Sequence, residues 1–377
     1  MNEIREIENS NVNVEIIPIR PEYLCNDFNI WFCKAHSFYC YYLALKTIIT
    51  KPIKTIVAIN NLLLNTKTVK KKLKNIYIIP KALAICDHLT YKECQFIHAH
   101  WLATVSSVAY LVSEITGIPW GVTTHRFDLY EKNAIEIKMK SASFIRCIDE
   151  NGYKFLSTIS DSFKDKIYKI YMGVDIPEYN MIKSNQKKKC FNIAIPANLV
   201  KVKGHSYAFK ALKILNKEFP GIFKCNVYGI GPLKEQLITL VHDLNLENTI
   251  TFEGNIKNED LLAKYKKKEI DLVLLPSVDL GNNEHEGIPV CLIEAMAYCV
   301  PVISTKTGGI PELVIEGSGI LVPDKSSKAI AHAIEDLYSC DNMETILFTG
   351  YERVRKDFNN ITQTMKVLEL IEKADKV

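Results

Sequence analysis

Short β-branched runs alternate along this chain with longer stretches whose apolar residues recur at helical spacing, the pattern of β-α-β units. In the first half the pattern predicts strands at about 12–17, 54–58, 76–79, 96–99, 119–123, 143–147 and 167–171, with helices in the intervals, most clearly over 103–116. It lapses in DIPEYNMIKSNQKKKC (175–190), a polar segment with no apolar period, which marks a domain boundary. The alternation then restarts with FNIAIPAN (191–198), a helix over 204–219, KCNVYG (224–229), a helix over 232–245 and TITFEG (249–254). A helix over 259–268, DLVLLPS (271–277), a helix over 289–299, PVIST (301–305), a short helix from Pro311 and GILVP (319–323) follow. The remainder, from TILFTGYERV onward, reads as one or two amphipathic helices. Parallel sheets are the consequence, and ligands of such sheets bind beyond the carboxyl ends of the strands. The expected fold is α/β, with two doubly wound Rossmann-like domains facing a central cleft. The expected bounds are 1–180, 181–350 and a carboxy-terminal helical piece, 351–377, packing back toward the first domain.

Composition narrows the classes. The 377 residues are 47% hydrophobic and 24% charged, ordinary for a globular protein, and 47 Lys+Arg against 43 Asp+Glu leave a net charge of only +4. That argues against nucleic acid as a partner. The 11 cysteines form no CxxC pair or zinc-ligand cluster and read as reduced thiols of a cytoplasmic protein. MNEIREIENS lacks the form of a signal peptide. Residues 29–51 are rich in aromatics (Trp31, Phe32, Phe38, Tyr39, Tyr41, Tyr42) but are interrupted by Lys34, His36 and Lys46, so they do not span a bilayer. A core helix is the favoured reading there and a helix lying in a membrane interface the alternative. The lysines from Lys67 to Lys74 read first as a solvated face, and more sharply as a patch for an anionic membrane surface, which would place the protein peripherally on the inner face of the membrane.

The chemistry concentrates in residues 271–322. A strand ends near Ser277, a polar loop follows, and a helix opens with Pro289 in its first turn, presenting the N–H groups of Val290 and Cys291 as an anion site. Glu286 in the loop and Glu294 one turn inside the helix stand beside it, and two carboxylates next to such a site suit sugar hydroxyls better than phosphate. Gly308 and Gly309 in TGGIPEL repeat the loop-to-helix turn. Taken singly, a Glu at a helix start and a Gly pair are ordinary structural features. The combined window EGIPVCLIE, with two glutamates at this spacing, resembles the donor-binding signature of glycosyltransferase family 4, the retaining GT-B glycosyltransferases. IHAHW (97–101), TGIPWGVTTHRFDLY (116–130), KIYMGVDIPEY (169–179), ANLVKVKGH (197–205) and VYGIGPLKEQL (227–237) fall in that family's order.

The resemblance implies a retaining transfer of a hexose-type sugar from a nucleoside diphosphate donor to a glycan or lipid-linked acceptor in surface polysaccharide assembly. No metal and no cofactor is expected beyond the donor substrate. It implies that Glu286 contacts the donor sugar, Glu294 the ribose, and the backbone around Gly287, Ile288, Pro289 and Val290 the distal phosphate. Lys203 would clamp the diphosphate, Gly229 and Gly231 would border the nucleotide, and His125 would face the sugar near the reacting carbon. His98 and His100 rank as architectural or acceptor-side residues, Arg126 and Asp128 as lesser cleft residues, and His285 matches no family role. Two departures stand out. Asn198 occupies the family's arginine position, with Lys201 the nearby substitute, and an amide lacks the guanidinium's charge and fork. MNEIREIE reads as the family's first helix and VNVEIIPIRP as its second strand, so the first strand and its loop are missing from the pattern and low activity is expected. The alternative function is a non-catalytic or impaired sugar-nucleotide-binding subunit.

Overall fold

The computed structural model describes residues 2–10, 12–19, 29–179, 189–340 and 343–375. The chain divides into two compact units, Met1–Tyr171 with Gln363–Val377, and Met172–Thr362. The boundary expected at 180/181, with most of the polar segment that suggested it, lies outside the described residues.

The first unit opens with α1 (Asn2–Asn9), α2 (Phe38–Thr50), α3 (Pro52–Leu64) and α4 (Val69–Tyr91). The strands expected at 54–58 and 76–79 are therefore helical, inside α3 and α4. Their β-branched runs are misleading because burial follows a helical period: Thr55, Ala58 and Leu62 are buried on α3, and Asn75, Ile78, Ala82, Ile85 and Leu89 on α4. Pro80 lies within α4, a further reason the helix is hard to read from sequence. Of the strand expected at 12–17, only an isolated bridge between Ile16 and Ile30 forms. The aromatic run does not supply a core helix. Its inward residues on α2 are the smaller Cys40, Leu43, Ala44 and Thr47, whose hydroxyl donates to the Leu83 carbonyl of α4 (2.9 Å), while Phe38, Tyr39, Tyr41 and Tyr42 face solvent.

A four-stranded parallel sheet follows, in the order β1 (Ile97–His100), β2 (Trp120–Thr124), β3 (Phe144–Cys147) and β4 (Ile167–Lys169). Its connections are α5 (Thr104–Thr116), the short α6 (Arg126–Glu131) and α7 (Ile135–Ser141), and α8 (Glu150–Ser157) with a 3-10 turn. Trp120, Val122 and Ile145 pack with Leu111, Val112 and Ile115 into one core. Arg146 is fully buried on β3 and is satisfied by Glu3 Oε2 (2.6 Å) and the carbonyls of Ile170 (3.0 Å) and Tyr171 (2.7 Å). The helix Asn360–Asp375 closes this core, with Val367 and Leu370 against Phe144 and Ile170.

The second unit holds a six-stranded parallel sheet. Its elements are β5 (Phe191–Pro196), α9 (His205–Glu218), β6 (Phe223–Tyr228), α10 (Lys234–Asp243), β7 (Ile250–Gly254) and α11 (Asn258–Lys266). They continue with β8 (Leu272–Leu275), α12 (Val290–Ala297), β9 (Val302–Thr305), α13 (Ile310–Leu313), β10 (Ile320–Val322), α14 (Ser327–Ser339) and α15 (Glu344–Asp357). Each expected element of this half is present within a few residues of its sequence bounds. The strand order β10-β9-β8-β5-β6-β7 reverses direction between β5 and β8, the switch point of a doubly wound sheet. Among the described residues no helix is long and apolar enough to cross a membrane.

Candidate functional site

Loops leaving two adjacent strands at a switch point run apart, and a concavity opens at their carboxyl ends. Here the loop after β5 carries Lys203 in a 3-10 turn and the loop after β8 carries Glu286. Their side chains meet, Lys203 Nζ lying 2.7 Å from Glu286 Oε2 with 19% and 15% of the side chains exposed. The Ser277 hydroxyl donates to the same oxygen (3.3 Å). The two residues are 83 positions apart in the chain and are joined by topology alone.

The backbone of Glu286 is clamped as firmly as its side chain. Its carbonyl accepts from the Gly309 N–H (3.2 Å) and from His285 Nδ1 (2.9 Å), which fixes the proton on that nitrogen. Gly308 adopts φ +57°, and a Cβ there would fall 1.8 Å from the Glu286 carbonyl oxygen. The glycine pair after β9 therefore exists to let this turn press against the loop bearing Glu286. His285, which sequence reasoning could not place, braces that loop.

Helix α12 begins one residue later than expected. Pro289 is its extended N-cap rather than a first-turn residue, and the amides of Leu292 and Ile293 turn back to the Pro289 carbonyl. Val290 and Cys291 supply the first-turn amides that helix geometry leaves without an intrahelical acceptor, next to Gly287 and Ile288 in the loop. Glu294 is buried one turn in; Asn258, at the start of α11, donates to it (3.0 Å), and burial raises its carboxyl above the usual range. Burial pushes the neighbouring Cys291 thiol up to about 12, with Lys203, Glu286 and Glu294 all acting on it electrostatically. The structure thus brings Lys203, Glu286, Glu294 and the head of α12 into one locality. Asn258 was not anticipated, because an Asn opening a helix ordinarily signals only a cap.

Asn198 is exposed in the loop after β5. Gly229 and Gly231 pack beneath that loop: a Cβ on either would meet the Ala197 or Leu199 carbonyl oxygen, at 2.1 and 2.5 Å. Behind Lys203, the ring of His205 is buried, and burial followed by the Lys203 charge pushes its pKa down to about 4.

In the first unit His125 caps α6 at the end of β2. Its N–H donates to Asp128 Oδ1 (2.8 Å), and the other Asp128 oxygen accepts from the Leu102 N–H. Its ring is tilted against Trp101 (centroids 5.5 Å) and lies 6.1 Å from that of His100, which stacks on His98 at 5.0 Å. His125 Nε2 is buried without a partner among the described residues, and burial, then His100, pushes the ring down to about 4. Burial also raises Asp128 to about 7. Lys138, which donates to the Ala103 carbonyl (2.6 Å), is lowered by burial to about 7.

The fold defined by these two sheets is that of the GT-B glycosyltransferases. A glycosyltransferase from Rickettsia africae superposes with a TM-score of 0.69 at 18% identity, covering 99% of this chain and 94% of that one. HepE from Anabaena, solved with UDP, gives 0.63 at 21%, covering 78% and 82%. Residues 178–348 match the family described as glycosyl transferases group 1. WcaL of Salmonella typhimurium, named for colanic acid biosynthesis, is 32% identical over 212 residues, 55% of this chain and 51% of that protein. The amylovoran biosynthesis glycosyltransferase AmsK of Erwinia amylovora is 31% identical over 211 residues, 55% and 51%. The chain spans about half the length of the curated relatives it matches.

Proposed function

We propose that the protein transfers a hexose-type sugar, with retention, from a nucleoside diphosphate donor to a glycan or lipid-linked acceptor in polysaccharide assembly. The observation that carries the reading is the Lys203–Glu286 pair at the switch point of the second sheet. In the resting protein Glu286 holds Lys203 as a charged stand-in for the donor. When the diphosphate arrives, the ammonium passes to its oxygens and the first-turn amides of α12 supplement it. The carboxylate released from Lys203 accepts from sugar hydroxyls, and the buried Glu294 takes the ribose hydroxyls with Asn258 beside it. The bond from the anomeric carbon to the phosphate oxygen breaks as the acceptor oxygen bonds to that carbon on the same face. The acceptor's proton moves to the departing phosphate oxygen, and stabilising the leaving charge is the main catalytic term. His125, neutral at physiological pH, suits a hydrogen bond to a sugar hydroxyl.

The UDP held by HepE makes UDP-sugars the first donors to try. A thermal-shift panel of UDP-, GDP- and ADP-sugars should raise the melting temperature for one base, by mass action. Turnover of that donor should fall about 100-fold or more in Glu286→Ala. Donor binding without turnover under any acceptor would favour the non-catalytic subunit that Asn198 suggests. No binding of any sugar nucleotide would defeat both readings.

A further inference from the structure

Residues 28–86 contain ten lysines and no aspartate or glutamate, whereas the rest of the chain has six more acidic than basic residues. This segment builds α2, α3 and most of α4, whose Asp87 just beyond it pairs with Lys46 (2.9 Å), and these helices turn large apolar side chains outward. On α4, Val69, Leu73, Ile76 and Tyr77 form a stripe at spacings of four, three and one, with Leu73 and Tyr77 each 61% exposed. On α2, Phe38 is 90% exposed and Tyr42, Leu45 and Ile49 continue its stripe. His36 bridges the outward sides of the two helices, its ring against Tyr77 (centroids 4.4 Å) and its Nδ1 2.7 Å from the hydroxyl of Tyr41, which flanks the α2 stripe. Neither stripe is needed for the core, which takes the opposite faces of both helices. Lys70 and Lys72 flank the α4 stripe with no carboxylate partner among the described residues, while Lys74 is paired with Glu131 at 2.8 Å.

We propose that the outward faces of α2 and α4 form a docking surface for an anionic lipid bilayer. An exposed apolar surface ringed by cations requires an occupant that is apolar within and anionic at its border. A bilayer interface has that order: acyl chains and glycerol for Phe38, Leu45, Leu73 and Ile76, headgroup depth for the tyrosines, and phosphates for Lys70 and Lys72. A second copy of this face would bring Lys70 and Lys72 against their like-charged counterparts, so charge opposes self-association there. With no helix among the described residues able to cross a membrane, the contact is drawn in the plane of the interface.

Co-sedimentation of the full chain with vesicles tests the proposal. Vesicles of phosphatidylcholine mixed with phosphatidylglycerol should retain the protein, pure phosphatidylcholine should not, and salt should release it. Neutralising Lys70 and Lys72 to Ala should weaken binding about fivefold per lysine. Phe38→Ser with Leu73→Ser should weaken it about tenfold or more. All four side chains contribute little to the core, and unchanged circular dichroism checks that the variants fold. In Leu73→Trp, indole fluorescence should shift to the blue on anionic vesicles only. Equal binding to neutral and anionic vesicles overturns the proposal. So do insensitivity to both variant sets, an unshifted indole, or a lipid-free dimer that Leu73→Ser dissolves.

Discussion

The end of β2 in the first unit and the end of β8 in the second each deliver a titratable group to a loop ahead of a helix, yet they handle charge in opposite ways. In the first unit, burial drives the groups toward neutrality: His125 to about 4, Asp128 to about 7, Lys138 to about 7. In the second, Lys203 and Glu286 stay together as a partly exposed ion pair. A buried neutral group can orient a partner, but it offers little to a charged ligand. A partly solvated ion pair costs little to separate, and either member can exchange its partner for a ligand of like charge. The first arrangement suits alignment and the second suits capture of an anion.

An exception within the first unit provides the strongest test of the comparison. Arg146 in the first unit is a buried charge held by Glu3 and two carbonyls. Arg146→Ala should cost about 3–5 kcal/mol of stability by urea denaturation, because Glu3 is left buried and uncompensated. Lys203→Ala, at the partly exposed pair, should cost less, about 1–2 kcal/mol, while abolishing the donor-induced thermal shift. Equal losses in the two would erase the distinction. Next in size, Gly308→Ala should destabilise the second unit by about 2–3 kcal/mol, since it imposes a left-handed non-glycine and a collision with the Glu286 carbonyl.

The pH response sharpens the contrast further. The His125 pKa falls on folding from 6.5 to about 4, so its contribution is present above pH 6.5 and is lost as pH falls through 4. Asp128 rises from 3.8 to about 7, so its contribution is present below pH 3.8 and is lost as pH rises through 7. The two oppose each other over the interval between. His125→Gln should therefore lose less stability than the wild type between pH 6.5 and 4, followed by urea midpoints; an unchanged slope would show that the ring is not buried neutral. The smallest effect concerns Asn198, where Asn198→Arg should tighten donor binding by roughly three- to tenfold, about 1 kcal/mol, in a calorimetric titration.

What could be read from the sequence differs between the units for a physical reason. In the second, Gly and Pro punctuate nearly every strand end, as in YGIGP and TGGIP, and the central strand β8, LVLL, is a continuous apolar run buried on both sides. In the first, TIVAI and IYII have strand composition but continue helices, and a five-residue window cannot tell a period of 2 from one of 3.6. The aromatic run misled differently. Hydrophobicity identifies what could be buried, not which face finds a neighbour, and α4 needed the small side of α2. Glu286 was visible through its motif, but its contact with Lys203 depends on β5 and β8 lying side by side. The bracing by His285, the donation from Asn258 and the burial of His205 left no sequence signal beyond a polar residue near a turn.

The adjacency of β5 and β8 also sets a timetable. A chain emerging from the ribosome exposes Lys203 long before Glu286 exists, and the strand that aligns them enters the sheet only after β6 and β7 have been added on the far side of β5. Until then the unit contains one half of the Lys203–Glu286 pair. On the function proposed above, a sugar nucleotide could thus stabilise only the late, nearly complete fold. It would act as a check on finished molecules and give no help to nascent ones.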